Sequence, residues 1–243
     1  SYVWAVGMQA TILHFTRQGW STFPSSPRYI TAVWGAGPDD YWAVGTTGTI
    51  LRLYVPYYWG DVTSGTPNNL TDIWGSASDD VWAVGASGTV LRYDGISWSN
   101  FGYVSGNNLT GIWGSGPNDV WVIDSLGWVG RWNGTSWSSE RPLGLFTAGE
   151  IWGSGPNDVW VADANSGRFH HWNGTGWTQM FVDGSMYRGI WGSGPNDVWA
   201  VGYYGRILHW DGLAWTLSPS ATEKNLTSVW GSGPNDVWAV GNE

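Results

Sequence analysis

Tryptophan recurs along this 243-residue chain at a fixed period, and that period admits very few folds. The phrase Trp-Gly-Ser-Gly-Pro-Asn-Asp-Val-Trp-Ala-Val-Gly, with small variations, sets its first tryptophan at Trp34, Trp74, Trp113, Trp152, Trp191 and Trp230, in steps of 39 or 40 residues. Its second tryptophan falls at Trp4, Trp42, Trp82, Trp121, Trp160, Trp199 and Trp238. A third column reads Phe15, Leu53, Tyr93, Trp132, Trp172 and Trp210, and a fourth reads Trp20, Trp59, Trp98, Trp137, Trp177 and Trp215. Of the 23 tryptophans, Trp128 alone stands outside the four columns.

Each period holds four short runs of β-forming residues. Leu226-Thr-Ser-Val-Trp-Gly reads as a first strand. Ser-Gly-Pro-Asn-Asp is a tight turn, with Pro fixing φ and Asn or Asp able to bond the backbone. Val-Trp-Ala-Val-Gly is a second strand, and a glycine-containing turn leads to a third such as Ile207 to Trp210. Asp211-Gly212 then marks a hairpin into a fourth strand at Trp215, as Asp94-Gly95, Asn133-Gly134 and Asn173-Gly174 do in their modules. Four strands in about 39 residues, with no helical period, describe a β-propeller blade. A solenoid would need polar capping repeats, whereas residues 1–29 supply strands two to four of a module and residues 226–243 supply strands one and two. The expected fold is therefore all-β: a propeller of four-stranded blades, six in number, closed by N- and C-terminal strands sharing one blade. Seven blades stay open as an alternative, because residues 3–7 and 237–241 compete for one slot. A single domain spans 1–243, with repeats at 30–69, 70–108, 109–147, 148–186 and 187–225 and partial ones at 1–29 and 226–243. The module at 30–69 departs most, with Tyr54-Val-Pro-Tyr-Tyr-Trp59 replacing the Asp-Gly hairpin. A chain that opens inside a repeat reads as a piece of something longer.

Charge narrows the partners. The formal net charge is −9 and Lys224 is the single lysine, which argues against nucleic acid and anionic membrane surfaces. No run approaches the ~20 apolar residues of a membrane span. With no cysteine there is neither a disulfide nor a thiolate zinc site, and no metal or cofactor is expected.

The Trp-Gly-Ser-Gly-Pro-Asn-Asp-Val-Trp-Ala-Val-Gly phrase resembles the tryptophan-rich repeats of secreted or surface proteins of myxobacteria and related bacteria. The hairpins Trp132–Trp137, Trp172–Trp177 and Trp210–Trp215 are similar to those of tectonin-like and fungal fucose-lectin-like propellers. That resemblance implies sugar pockets between neighbouring blades, built on tryptophan faces and a few polar groups. The glutamate that completes the fucose-lectin pocket has no counterpart column, since the glutamates are Glu140, Glu150, Glu223 and Glu243.

Just before the third column stands a position that is always Arg or His: His14, Arg52, Arg92, Arg131, His171 and His209. Two readings compete. These planar donors could address sugar hydroxyls or a carboxylate beside an indole. Alternatively, they tie the third strand to the turn aspartates Asp40, Asp80, Asp119, Asp158, Asp197 and Asp236, a reading favoured by the rarity of unpaired buried charge. The first two tryptophan columns read as core. The fourth, Trp20, Trp59, Trp98, Trp137, Trp177 and Trp215, lies nearer the outer edge and supplies the candidates for sugar stacking. Five Asn-x-Ser/Thr sequons, at Asn69, Asn108, Asn133, Asn173 and Asn225, sit at repeated turns and are read as turn chemistry.

An enzyme is disfavoured, because the aspartates are distributed once per module while an active site breaks repeat symmetry. Asp124, Asp163 and Asp183 are the off-pattern carboxylates, and His170-His171 lacks a zinc-protease spacing. The resulting expectation is a secreted or surface, non-enzymatic lectin that binds multivalent glycans through several equivalent inter-blade sites. The alternative is a protein-interaction or structural module of a larger surface protein, with oligomerisation or strand exchange through the incomplete terminal blade.

Overall fold

The repeated phrase folds as two antiparallel strands whose tryptophans stand directly opposite each other: Trp34 against Trp42, Trp74 against Trp82, Trp152 against Trp160, Trp191 against Trp199 and Trp230 against Trp238. These come from a computed structural model that describes residues 3–7, 11–16, 18–23, 28–54, 58–102, 106–141 and 147–242. The register continues outward, pairing Trp82 with Arg92 and Arg92 with Ser99. Directly opposed residues share a face of the sheet. One face of each blade therefore carries the first two tryptophan columns and the Arg/His column. The other carries the third and fourth columns, paired as Tyr93 with Trp98, Trp172 with Trp177 and Trp210 with Trp215.

The chain is an all-β, six-bladed β-propeller with four-stranded antiparallel blades. Complete four-stranded sheets are formed at residues 30–62, 70–100, 109–140, 148–181 and 187–218. The strands Val3–Gly7, Thr11–Thr16 and Gly19–Phe23 form a three-stranded sheet, and Leu226–Gly233 with Asp236–Gly241 form a two-stranded one. In the module at 30–69 the third and fourth strands are Ile50–Tyr54 and Tyr58–Val62; residues 55–57, where the expected hairpin is lost, lie outside the described residues.

Two compact units, Ser1–Ile112 and Trp113–Glu243, are each held together by packing between successive sheets. In the first, Trp42, Val44 and Ile50 of one blade meet Ile73, Ala83, Tyr93 and Trp98 of the next. In the second, Trp160, Ala162 and Phe169 meet Ile190, Ala200, Leu208 and the partly buried Trp210 and Trp215.

The glycine after the first-column tryptophan has a specific packing reason. A Cβ on Gly75 would stand 2.7 Å from the Trp34 ring, one on Gly153 2.7 Å from Trp113, and one on Gly192 2.6 Å from Trp152. Trp34, Trp113, Trp152 and Trp191 thus lie across the Trp-Gly backbone one repeat later, so the dipeptide is half of a lock completed by the preceding module. At Gly192 the Cβ would also stand 2.5 Å from the Asp197 carbonyl oxygen. Gly192→Ala is expected to cost about 1–3 kcal/mol by overpacking, read as a fall in the urea midpoint; Gly194→Ala, where nothing lies within 4 Å of the added carbon, is the control.

Candidate binding surface

The Arg/His column is engaged with the turn aspartates. Arg92 Nε donates to Asp80 Oδ1 at 2.7 Å, Arg131 Nε to Asp119 Oδ1 at 2.6 Å, and Arg52 Nη2 to Asp40 Oδ1 at 3.2 Å. His171 Nε2 and His209 Nε2 each stand 2.6 Å from Asp158 Oδ1 and Asp197 Oδ1. The same planar groups lie flat on the second-column indole opposite them. Arg52, Arg92 and Arg131 sit 4.8, 4.7 and 4.5 Å from the ring centroids of Trp42, Trp82 and Trp121. His14, His171 and His209 stack on Trp4, Trp160 and Trp199 at 4.2, 4.0 and 4.1 Å. Only a planar donor can stack on an indole and reach the carboxylate at once, which explains why the column admits Arg or His and never Lys.

The aspartate is a three-way junction. Asp80 also accepts from Ser76 Oγ at 2.5 Å and from Trp82 Nε1 at 3.2 Å, and Asp158 and Asp197 repeat the pattern with Ser154 and Trp160, and with Ser193 and Trp199. Burial pushes the Asp158 carboxyl up, but hydrogen bonds from His171, Ser154 and Trp160 outweigh it and hold it below the ordinary carboxylate value. Asp197 is held down in the same way, by Ser193, His209 and Trp199 against its own desolvation.

Four tryptophans of the fourth column meet the neighbouring blade edge-on. Trp59 stands T-shaped on Trp4 at 5.4 Å, Trp98 on Trp42 at 5.4 Å, Trp177 on Trp121 at 5.9 Å and Trp215 on Trp160 at 5.5 Å. Trp59 and Trp98 are 9% exposed and Trp20 is 43% exposed, while Trp137, Trp177 and Trp215 are intermediate. Trp177 Nε1 donates to Glu140 Oε1 on the preceding blade at 2.7 Å, an indole–carboxylate pair that no column in the sequence announced. Glu243 lies outside the described residues.

The turn between the second and third strands is where the modules differ most. In three of them it is one 3₁₀ turn: Thr46–Gly48, Ala86–Gly88 and Tyr203–Gly205. The middle residue has positive φ each time, 54° at Thr47, 56° at Ser87 and 57° at Tyr204. Its N–H donates to the side-chain oxygen of the sequon asparagine that ends the same module, Asn69, Asn108 or Asn225. Asn133 and Asn173 instead accept from backbone N–H groups within their own hairpins. All five sequon asparagines thus have structural work in turns.

In the modules at 109–147 and 148–186 this turn is rebuilt on the off-pattern carboxylates. Asp124 and Asp163 are fully buried at the position of Gly85 and Gly202. Asp124 accepts from the Leu126 and Trp128 N–H groups, and Asp163 from Asn165 and Ser166. Trp128 occupies the slot of Thr49, Thr89 and Arg206, its carbonyl accepting from Asp124 N–H as theirs accept from the residue four before. Asp183 accepts from Ser185 and Tyr187 and pairs with Arg206 at 3.0 Å.

The module at 187–225 fills this end with large side chains where the two others that share its 3₁₀ turn carry small ones. Tyr203-Tyr204-Gly205-Arg206 replaces Thr46-Thr47-Gly48-Thr49 and Ala86-Ser87-Gly88-Thr89, and Arg188 stands where Thr31 and Thr71 do. Thr31 and Thr71 each donate to a carbonyl of the next first strand, Leu70 and Leu109, at 2.8 Å. Arg188 instead turns to Tyr203, with Nη2 donating to the phenol oxygen at 2.9 Å and the guanidinium 5.3 Å from the ring centroid. Tyr204 is 78% exposed.

Neither a protein-family model nor any curated protein matches the chain. Solved propellers do. The structure described as YCF48 bound to D1 peptide superposes with a TM-score of 0.81 at 15% identity, covering 100% of this chain and 86% of that one. The WD40 β-propeller domain of Doa1 gives 0.84 at 11% identity, covering 98% and 85%. A catalytically inactive virginiamycin B lyase from Staphylococcus aureus, with quinupristin, gives 0.84 at 13%, covering 98% and 90%. At these identities the likeness establishes the propeller fold alone.

The twelve sequence candidates therefore divide. His14, Arg52, Arg92, Arg131, His171 and His209 are stacked on second-column indoles, and the last five of them also meet a turn aspartate. Trp59, Trp98, Trp177 and Trp215 cover neighbouring indoles, and Trp20 and Trp137 pack on their own third-column partners. Arg188, Tyr203, Tyr204 and Arg206 were not among the sequence candidates. The signal lay in aligning the turns rather than the tryptophans: three modules share one geometry, and only one of them loads it with aromatics and arginines.

Proposed function

We propose that this chain is a non-catalytic protein-interaction module, binding its partner at the turn-bearing end of the 187–218 blade. One observation carries the reading. Tyr204 has a φ of 57°, which is costly for a bulky L-residue, and its ring buries little within the chain. The same turn forms at Ser87 and Thr47 with small residues, so the turn does not require tyrosine. Strain that the fold does not need is expected at a binding site. A propeller of the same fold, YCF48, is seen bound to a D1 peptide, and loops at one end of a rigid scaffold are the usual place for recognition. The repeated turn carboxylates, each engaged by neighbouring donors, favour a scaffold over a catalyst.

The test is a random-peptide display selection on the intact chain, counter-selected with Tyr204→Asn. Asparagine tolerates the left-handed region, so this variant is expected to be as stable as the parent or up to about 1 kcal/mol more stable, while selected peptides are lost. Peptides that bind both chains equally would sink the assignment to this surface.

Carbohydrate binding is the second reading. Its specific support is the Trp177–Glu140 pair together with a shallow groove lined by Phe181, Trp210, Leu213 and Trp215 at the edge of the same blades. A glycan array that lights up and is silenced by Trp215→Ala, with several sugars bound per chain, would favour it over the interaction module.

A further inference from the structure

The partner's chemistry can be read from the hydrogen-bond donors of Arg188 and Tyr203 that find no acceptor among the described residues. Arg188 is exposed, and among the described residues no carboxylate pairs with it. One of its N–H groups goes to the Tyr203 phenol oxygen, at 2.9 Å. Because that oxygen accepts from Arg188, the phenol's own hydrogen is free to donate, and no acceptor for it stands among the described residues. Arg206, the next cation, is held by Asp183 at 3.0 Å, and Asp183 is further occupied by the Ser185 N–H and the Tyr187 hydroxyl. The Asp183 carboxylate is therefore committed to Arg206.

Apolar area flanks these donors. Tyr203 N–H is anchored on the Met186 carbonyl at 3.1 Å, and the Met186 side chain is 38% exposed. On the far side of the turn, Tyr204, Arg206, Leu217 and Ser220 line a shallow groove, in which Leu217 is 62% exposed. A fixed guanidinium, braced by the ring beneath it, beside a phenol O–H suits a planar carboxylate, which accepts from both. Tyrosine and arginine are also the residue types enriched where proteins bind proteins.

We infer that this surface binds an acidic peptide segment, a glutamate or aspartate carboxylate accepting from Arg188 and Tyr203 while neighbouring apolar side chains lie on Tyr204 and Leu217. The inference rests on the interaction-module reading above and names the partner's class. The chain's net charge of −9 repels acidic segments at long range, so recognition depends on these short-range donors and not on general attraction.

The experiment sequences the peptides selected on the intact chain, then measures one Glu-containing peptide and its Gln counterpart by fluorescence anisotropy. Enrichment of Asp and Glu, with binding of the Glu peptide weakened about tenfold or more by Arg188→Gln and several-fold by Tyr203→Phe, is the expected result. The Gln counterpart should respond to neither change. Both side chains reach the surface, and an unchanged melting temperature checks each variant; Tyr203→Phe keeps the ring should Arg188→Gln disturb the turn. Selected peptides without acidic enrichment that are still lost in Tyr204→Asn would overturn the acidic class and leave the interaction surface standing. Glu peptides indifferent to both variants would overturn it too. A selection that yields no peptide would remove the interaction reading itself.

Discussion

Asp80→Ala is expected to destabilise the chain by about 2–3 kcal/mol, since it strips a partly buried guanidinium, an indole N–H and a hydroxyl of their shared acceptor. Asp80 is 8% exposed and joins three donors from three places in its blade: Ser76 before the turn, Trp82 on the second strand and Arg92 on the third. Without it, Arg92 stays against Trp82 with its charge uncompensated, and the indole N–H loses its acceptor. The measurement is the urea midpoint of unfolding. Asp80→Asn keeps an acceptor and should fall between the two. Changing Arg92 to leucine in the Asp80→Ala background removes the stranded charge and is expected to recover part of the loss. An unchanged midpoint for Asp80→Ala would mean that the junction contributes no stability and that the Arg/His column must be explained another way.

The second large effect is confined to acid. His170 is 1% exposed, faces Val161 across the strand pair, and fills the place that Leu51, Leu91 and Leu208 take in other blades. Neither ring nitrogen has a hydrogen-bond partner among the described residues. Burial lowers its pKa to about 4, with Asp163 pulling the other way and Arg168 adding to the fall. The unfolded chain takes up this proton near pH 6.5, while the native chain resists it down to about pH 4. Stability is therefore lost as pH falls through that window, by about 3 kcal/mol at its lower end. His170→Leu should remove this loss, so its advantage over the parent grows steadily from pH 7 to pH 4. Asp72 acts in the opposite sense: burial raises its carboxyl to about 7 despite amide hydrogen bonds from Ile112 and Ile73, so its contribution is lost as pH rises from about 4 to about 7. Comparing the two chains cancels that term. A difference curve that stays flat would mean that the imidazole takes its proton without disturbing the fold.

Much of the blade was legible before any coordinates, because its signals are local. The alternation that makes strands, the Gly-Pro-Asn-Asp turn and the Asp-Gly or Asn-Gly hairpin are decided within a few residues by backbone sterics and side-chain hydrogen bonds. The tie between Arg92 and Asp80 was legible as one of two readings, since both columns repeat in step. The burial of Trp59 and Trp98 was harder to see. Trp98 looks peripheral within its own module, but what covers it is Trp42, from the module before.

From sequence alone the period, the four-strand schedule and the propeller class could be determined, since each follows from spacing and turn chemistry inside one repeat. Tertiary structure decided what distant residues do for one another: Trp34 lying across Gly75, Asn225 receiving the N–H of Tyr204, and Trp177 donating to Glu140. It also decided that Tyr204 faces solvent at positive φ while Tyr187 is buried. The physical reason is range. Strand periodicity tells which face a side chain takes, but the atoms that cover or uncover that face belong to residues well outside the local run, and only the packed sheets bring them together.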